Sequence, residues 1–152
     1  MSKAVIQEIR AFNRFYTDLI GLLNKHLLNS AYSLSEVRIM YEIHTAGAVQ
    51  ASQIMGAMDI DKSYLSRILK KLERDEVIVR KASEQDGRAV VVSLTEQGEE
   101  LFQELTRLTE EQVGGLIAHL SEQEQEDLVG HMHAIRKILP GRSAVQTSKN
   151  NQ

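Results

Sequence analysis

Apolar residues recur along this chain at two different periods, and the switch between them divides it. From Val5 to Leu28, the residues Ile6, Ile9, Phe12, Phe15, Tyr16, Leu19, Ile20, Leu22, Leu23, Leu27 and Leu28 keep close to a helical spacing, which predicts one long helix. Its apolar stripe is wider than a small core needs, so part of it is expected to face another subunit. Ser33 and Glu36 have the spacing of a capping box, in which the serine hydroxyl accepts a backbone N–H and the glutamate reaches back. They open a helix carrying Leu34, Val37, Ile39, Met40, Tyr41 and Ile43, which Ala46 and Gly47 end. Ala51, Ile54, Met55 and Met58 mark a short third helix over 50–58. Asp59, Ile60 and Asp61 then form a turn, and Asp61 is suited to cap a fourth helix from Lys62 to about Arg74. Leu65, Ile68, Leu69 and Leu72 take one side of that helix, while Lys62, Ser63, Ser66, Arg67, Lys70, Lys71 and Arg74 take the rest.

From Val77 the period changes. Val77 to Lys81 is rich in β-branched residues, Ser83 to Arg88 is a turn with Asp86 and Gly87 at its tip, and Ala89 to Leu94 is a second strand, so a β-hairpin interrupts the helices. Thr95 caps a long acidic helix with Leu101, Phe102, Leu105, Leu108, Val113, Leu116, Ile117 and Leu120 on its apolar side. Ser121 and Glu124 make a second capping box, and the last helix carries Leu128, Val129, Met132, Ile135, Ile138 and Leu139 until Pro140 and Gly141 stop it. Residues 143–152 are polar and are expected to be a disordered tail.

Composition changes this picture in two places. With 152 residues, 42% hydrophobic and 26% charged, the chain has the makings of one globular core. It has no cysteine, which removes disulfides, thiolate metal sites and thiol redox switches. No apolar run reaches the roughly 20 residues of a membrane span, and the first residues lack a signal segment, so a cytoplasmic protein with no membrane partner is expected. A net charge of -3 argues against a polyanion binder until its distribution is considered. Between Thr95 and Leu128 lie Glu96, Glu99, Glu100, Glu104, Glu110, Glu111, Glu122, Glu124, Glu126 and Asp127, against Arg107 alone. Between Lys62 and Arg88 lie Lys62, Arg67, Lys70, Lys71, Arg74, Arg80, Lys81 and Arg88. Local field decides encounters, and here it is segregated along the chain.

Two short helices joined by a tight turn, the second basic, followed at once by a hairpin, is the order of a winged helix-turn-helix. A B-DNA major groove admits one helix, and the Lys62 to Arg74 helix has a polar face to offer base edges and a leucine-rich face to hold it on the domain. An isolated basic helix is ordinarily just a solvated surface; the adjoining hairpin is what turns the balance toward DNA.

Leu72-Glu73, Val77 to Arg80, Asp86-Gly87-Arg88, and Leu94-Thr95 with Gly98 opening the next helix resemble the MarR (multiple antibiotic resistance regulator) family of dimeric winged-helix proteins. With the order and length of six helices, the resemblance covers about Val5 to Leu139. It implies a mainly α fold with a small β-hairpin wing, residues 1–142 forming one domain. The winged helix would occupy about 33–94, and dimerisation helices about 4–30 and 95–139. It further implies a homodimer on double-stranded DNA, a ligand-responsive repressor reading a pseudo-palindromic operator. Arg88 would enter the minor groove from the wing tip, with Asp86 orienting it through a charge-assisted hydrogen bond. Glu76 departs from the pattern, since the family has glycine there, in a left-handed conformation that ends the recognition helix. The family also binds small aromatic or phenolic effectors between the first, second and fifth helices, where Phe12, Phe15, Tyr16, Tyr41 and His44 would line a pocket; aromatic residues at such spacing equally serve as core or interface.

Other chemistry finds little footing. His26, His44, His119, His131 and His133 lack metal-ligand spacing, and no phosphate loop, nucleophile elbow or metalloprotease motif occurs, so neither an enzyme nor a cofactor or metal is expected. Two other origins stay open: a regulator half cut from a fusion with an N-acetyltransferase, similar through Ile9 to Tyr16 and Tyr32 to Glu36, and a winged-helix module that binds protein instead of DNA.

Overall fold

The computed structural model describes residues 1–27 and 30–139, the side chains of residues 24–27 excepted. Six helices and one hairpin follow in the expected order: α1 (Lys3–Leu27), α2 (Leu34–Ala46), α3 (Ala51–Met58), α4 (Lys62–Arg74), β1 (Ile78–Ala82), β2 (Val90–Leu94), α5 (Glu96–Ile117) and α6 (Glu122–Ile138). The caps account for the boundaries. Ser33 and Ser121 each accept an N–H from the third helical residue, and Glu36 and Glu124 return the bond to the cap backbone. Gly47 ends α2 at φ 76, a conformation in which a side chain would be strained. Both the helix stop at Pro140 and the polar tail 143–152 lie outside the described residues.

The core belongs to the middle of the chain. Ile39, Met40 and Ile43 from α2, Ile54 from α3, Leu65, Ile68, Leu69 and Leu72 from α4, Val77, Ile78 and Val92 from the hairpin, and Phe102 and Leu105 from the start of α5 form one buried cluster. The hairpin pairs antiparallel from Ile78 opposite Leu94 to Ala82 opposite Val90. Val49, just before α3, adds an isolated bridge to Val92, with N–H to O distances of 3.0 and 2.8 Å in the two directions. That bridge fastens the outer strand of the wing to the helical layer. One residue has no periodicity, which is why the sequence pattern does not announce it.

The terminal helices behave otherwise. α1 packs on α5, yet Val5, Ile6, Ile9, Phe12, Phe15, Tyr16, Ile20 and Leu22 stay exposed. α6 buries no residue at all, and leaves Val129, Met132, Ile135, Ile138 and Leu139 open. α5 stops at Ile117, so Leu120, expected on its apolar side, sits in the turn after it. Among the described residues no helix is long and apolar enough to cross a membrane.

Candidate nucleic-acid interface

α4 starts where Asp61 accepts the N–H of Tyr64 at 2.9 Å, satisfying one of the orphan donors of its first turn. Its four apolar residues are buried in the core, which leaves Lys62, Ser63, Ser66, Arg67, Lys70, Lys71 and Arg74 lining one open surface. Arg67 lies 5.2 Å from the ring centre of Tyr64, a contact that restrains its guanidinium without neutralising it. Arg74 is 74% exposed and pairs with Asp75 at 3.5 Å. The helix therefore presents cations on a rigid surface whose other side is anchored by leucines.

Beside it stands the wing. Ser83 Oγ accepts the N–H groups of Gln85 and Asp86, and Ala89 N–H closes the turn onto Asp86 O at 3.0 Å. Arg88 is exposed within that turn. Asp86 Oδ1 accepts the main-chain N–H of Arg88 at 3.1 Å. The bond from Asp86 goes to the main chain and not, as expected, to the guanidinium, which among the described residues has no carboxylate within ion-pair distance. A short side chain two residues ahead reaches the main chain more readily than the end of an arginine. Arg80, across the hairpin, is tied to Glu73 at 3.0 Å and is less available to an anion than its charge suggests.

Residues 32–90, from the lead-in to α2 through the wing turn, match the family model of the MarR family. Relatives include the HTH-type transcriptional regulator MhqR of Bacillus subtilis (strain 168), 24% identical over 126 residues that make 83% of this chain and 87% of that one. Another is the organic hydroperoxide resistance transcriptional regulator of the same organism, 39% identical over 80 residues, 53% of this chain and 51% of that one. These relatives are regulators and not enzymes. Among solved structures, a mutant MarR from E.coli complexed with operator DNA superposes with a TM-score of 0.74 at 21% identity, covering 90% of this chain and 96% of that one. FabT of Streptococcus pneumoniae in complex with DNA gives 0.73 at 23% identity, covering 88% and 96%. At those identities the likeness is one of fold, a winged helix.

The residues that carry the resemblance to that family form a joint. Glu76 takes φ 60, the left-handed conformation expected of glycine at this point. Its N–H bonds Glu73 O at 3.0 Å and that of Val77 bonds Leu72 O at 2.8 Å, a Schellman motif with Leu72 and Val77 both buried. Glu76 therefore preserves the turn at a conformational cost of about 1 kcal/mol. Thr95 ties α5 to the same point. Its N–H bonds Val77 O at 3.0 Å, its hydroxyl donates to Glu76 O at 2.6 Å, and Oγ1 accepts Gly98 N–H at 2.9 Å. A Cβ on Gly98 would lie 2.0 Å from Val77 O, so only glycine lets α5 approach the end of α4 this closely.

Two groups of candidates sit differently from what charge and spacing suggest. Lys71 lines the surface with its neighbours, but its ammonium is engaged: it donates to Ala31 O and to Glu36 Oε2, both at 2.8 Å, and lies 4.9 Å from the ring centre of Tyr32. The α1–α2 junction passes beside the last turn of α4 and supplies acceptors nearer than solvent. The five aromatic and histidine candidates for an effector pocket fall into separate contact groups. Phe12, Phe15 and Tyr16 cluster on α1, with Phe12 stacked on Tyr16 at 5.8 Å, all exposed. Tyr41 is exposed on α2 near Arg38, and His44 is engaged by Glu99 at 2.7 Å and by the ring of Phe102 at 4.6 Å. A hollow of about 660 Å³ between α1 and α5 is lined instead by Leu19, Leu22, Leu23, Leu108, Gln112 and Leu116, among others. Among the described residues no three potential ligands gather for a metal ion.

The sequence reading missed Tyr32 and Asp75. Tyr32 donates its hydroxyl to Asp75 Oδ2 at 3.1 Å, across 43 positions of sequence. Burial first, and then the Asp75 carboxylate, push that hydroxyl above the ordinary tyrosine range, so it stays protonated as a donor. No local pattern links two residues so far apart.

Proposed function

We propose that this chain is a sequence-specific, double-stranded DNA-binding transcriptional regulator that works as a homodimer on a pseudo-palindromic site. The carrying observation is the pairing of one exposed basic helix face, Lys62, Ser63, Ser66, Arg67, Lys70 and Arg74, with an exposed wing arginine, Arg88, on a rigid winged-helix frame. In this reading α4 lies in the major groove, where its polar side chains meet base edges and phosphates, and Arg88 follows the backbone into the adjoining minor groove.

The homodimer is supported by the unpartnered apolar faces of α1 and α6. Phe15 at 61%, Ile138 at 75% and Leu139 at 66% exposed are far from what a soluble monomer keeps in contiguous stripes. Pairing through these helices would set two copies of α4 about 34 Å apart, one turn of B-DNA. The acidic α5 and α6 would then lie away from the duplex and help orient its approach.

The test is selection of duplexes from a random library by the intact chain, followed by fluorescence anisotropy on the enriched sequence at several salt concentrations. An inverted-repeat motif and a steep fall of affinity with salt are expected. Failure to enrich any duplex, or enrichment without salt dependence, would refute the assignment and favour a protein-binding winged helix.

A further inference from the structure

A polar cluster between the α1–α2 junction and the end of α4 lies next to the basic face and is bonded through several side chains. Tyr32 bonds Asp75, Lys71 bonds both Ala31 O and Glu36, Lys71 lies over the Tyr32 ring, and Glu36 also accepts Ser33 N–H at 3.3 Å in the α2 capping box. Lys71 is only 30% exposed, where Arg74 on the next turn is 74% exposed. The helix face that meets the core is aliphatic, and apolar contact is non-directional; it resists separation far better than it resists a small slide or rotation. Charged hydrogen bonds supply the missing direction.

We propose that Tyr32, Lys71, Asp75 and Glu36 form a positioning latch that holds the C-terminal turn of α4 in register with the start of α2. Through it, Tyr32, Lys71 and Asp75 govern DNA affinity without touching DNA. The proposal rests on the DNA-binding reading above. Base-edge recognition tolerates misplacement of only about 0.5 Å, so a latch at one end of the reading helix has leverage on every contact along it. The Schellman turn and Thr95 hold the same end from the hairpin side, so the two restraints oppose each other across the helix.

The charge of Asp75 makes the proposal separable from plain electrostatics. Removing an acid beside the basic face, one that also pairs with Arg74, should tighten DNA binding if only the field matters. The latch requires the opposite sign.

The experiment uses the full chain and a labelled duplex enriched from a random library by the wild-type protein, with anisotropy read over a series of KCl concentrations. Tyr32→Phe should weaken binding about fivefold, the equivalent of one hydrogen bond. Asp75→Ala, which removes the acceptor, should weaken it by a similar factor, and the double variant should be no weaker than either alone, because the two share one bond. Lys71→Met should weaken binding while leaving the salt slope unchanged; Lys70→Ala, which removes an outward-facing cation, should lower that slope by about one. Circular dichroism at the assay temperature confirms that each variant is folded, and Tyr32→Phe carries the test should Lys71→Met unfold. Tighter binding by Asp75→Ala, additive losses in the double variant, or a Lys71→Met slope reduced like that of Lys70→Ala would each overturn the latch while leaving DNA binding intact. A wild-type chain that enriches no duplex overturns the DNA reading and the latch with it.

Discussion

Gly98 lies inside a helix, exposed helices gain about 1 kcal/mol when glycine becomes alanine, and propensity alone would therefore make Gly98→Ala a stabilising change. The packing reverses the sign. The added Cβ would sit 2.0 Å from Val77 O and 3.0 Å from Val77 C, both main-chain atoms, with Thr95 Oγ1 at 3.3 Å. Val77 has little room to retreat: its N–H is held by Leu72 O, its carbonyl receives Thr95 N–H, and its side chain is buried. Either α5 tilts away, or the Schellman turn opens. Overpacking of this kind costs about 1–3 kcal/mol, and weakening one or two of the joint's hydrogen bonds adds about 1 kcal/mol each. After subtracting the propensity gain, the net loss is about 1–4 kcal/mol, and each kcal/mol lowers Tm by about 2–4 °C in a chain of this size. Thermal unfolding followed by circular dichroism, at one fixed chain concentration because association contributes to stability, reads the effect. Gly56→Ala, in α3 with nothing within 4 Å of the new methyl, serves as the matched control and should be neutral or slightly stabilising. A Gly98→Ala protein that melts at or above the wild type would show that the close approach of α5 to Val77 is wrong.

Further expectations follow from the same geometry. Glu76→Gly should raise the urea midpoint by the equivalent of about 0.5–1 kcal/mol, since glycine takes φ 60 without strain and Glu76 makes no ion pair among the described residues; an unchanged or lower midpoint counts against a strained turn. Arg88→Ala should weaken binding to the selected duplex by about 1–3 kcal/mol with Tm unchanged, and equal affinity in an anisotropy titration would remove the wing from the interface. Sedimentation should find a dimer at micromolar concentration, and Ile135→Asp on α6 should shift it to monomer by placing an unpaired charge in the apolar face; a wild-type monomer would refute pairing through α1 and α6.

Much of the architecture was legible in the order of residues because the signals are local. The capping boxes at Ser33 and Ser121, the Asp61 cap and the change of period at Val77 operate within four residues of themselves, and α2, α4, the hairpin and α6 begin within a residue of where those signals stand. The leucine face of α4 was equally plain, since a fixed helical pitch decides which side chains share a side. The wing turn was visible in Asp86 and Gly87, though not which atom of Arg88 the carboxylate would hold.

What the sequence determined by itself is therefore the set of elements and the residues each could offer to DNA. Tertiary structure alone decided which of those residues are free to be offered. Lys71 has the same charge and helical spacing as its neighbours, yet Ala31 and Glu36 take its ammonium because the chain returns to that spot about 35 residues away in sequence. Gly98 and Thr95 look like an ordinary helix start until Val77 is placed against them. The aromatic residues of α1 stack on one another while Tyr41 of α2 lies near Arg38, and the hollow between α1 and α5 is lined by leucines instead. Periodicity is a property of one element; the direction in which a polar group finds its partner depends on how elements meet, and no local pattern carries that information.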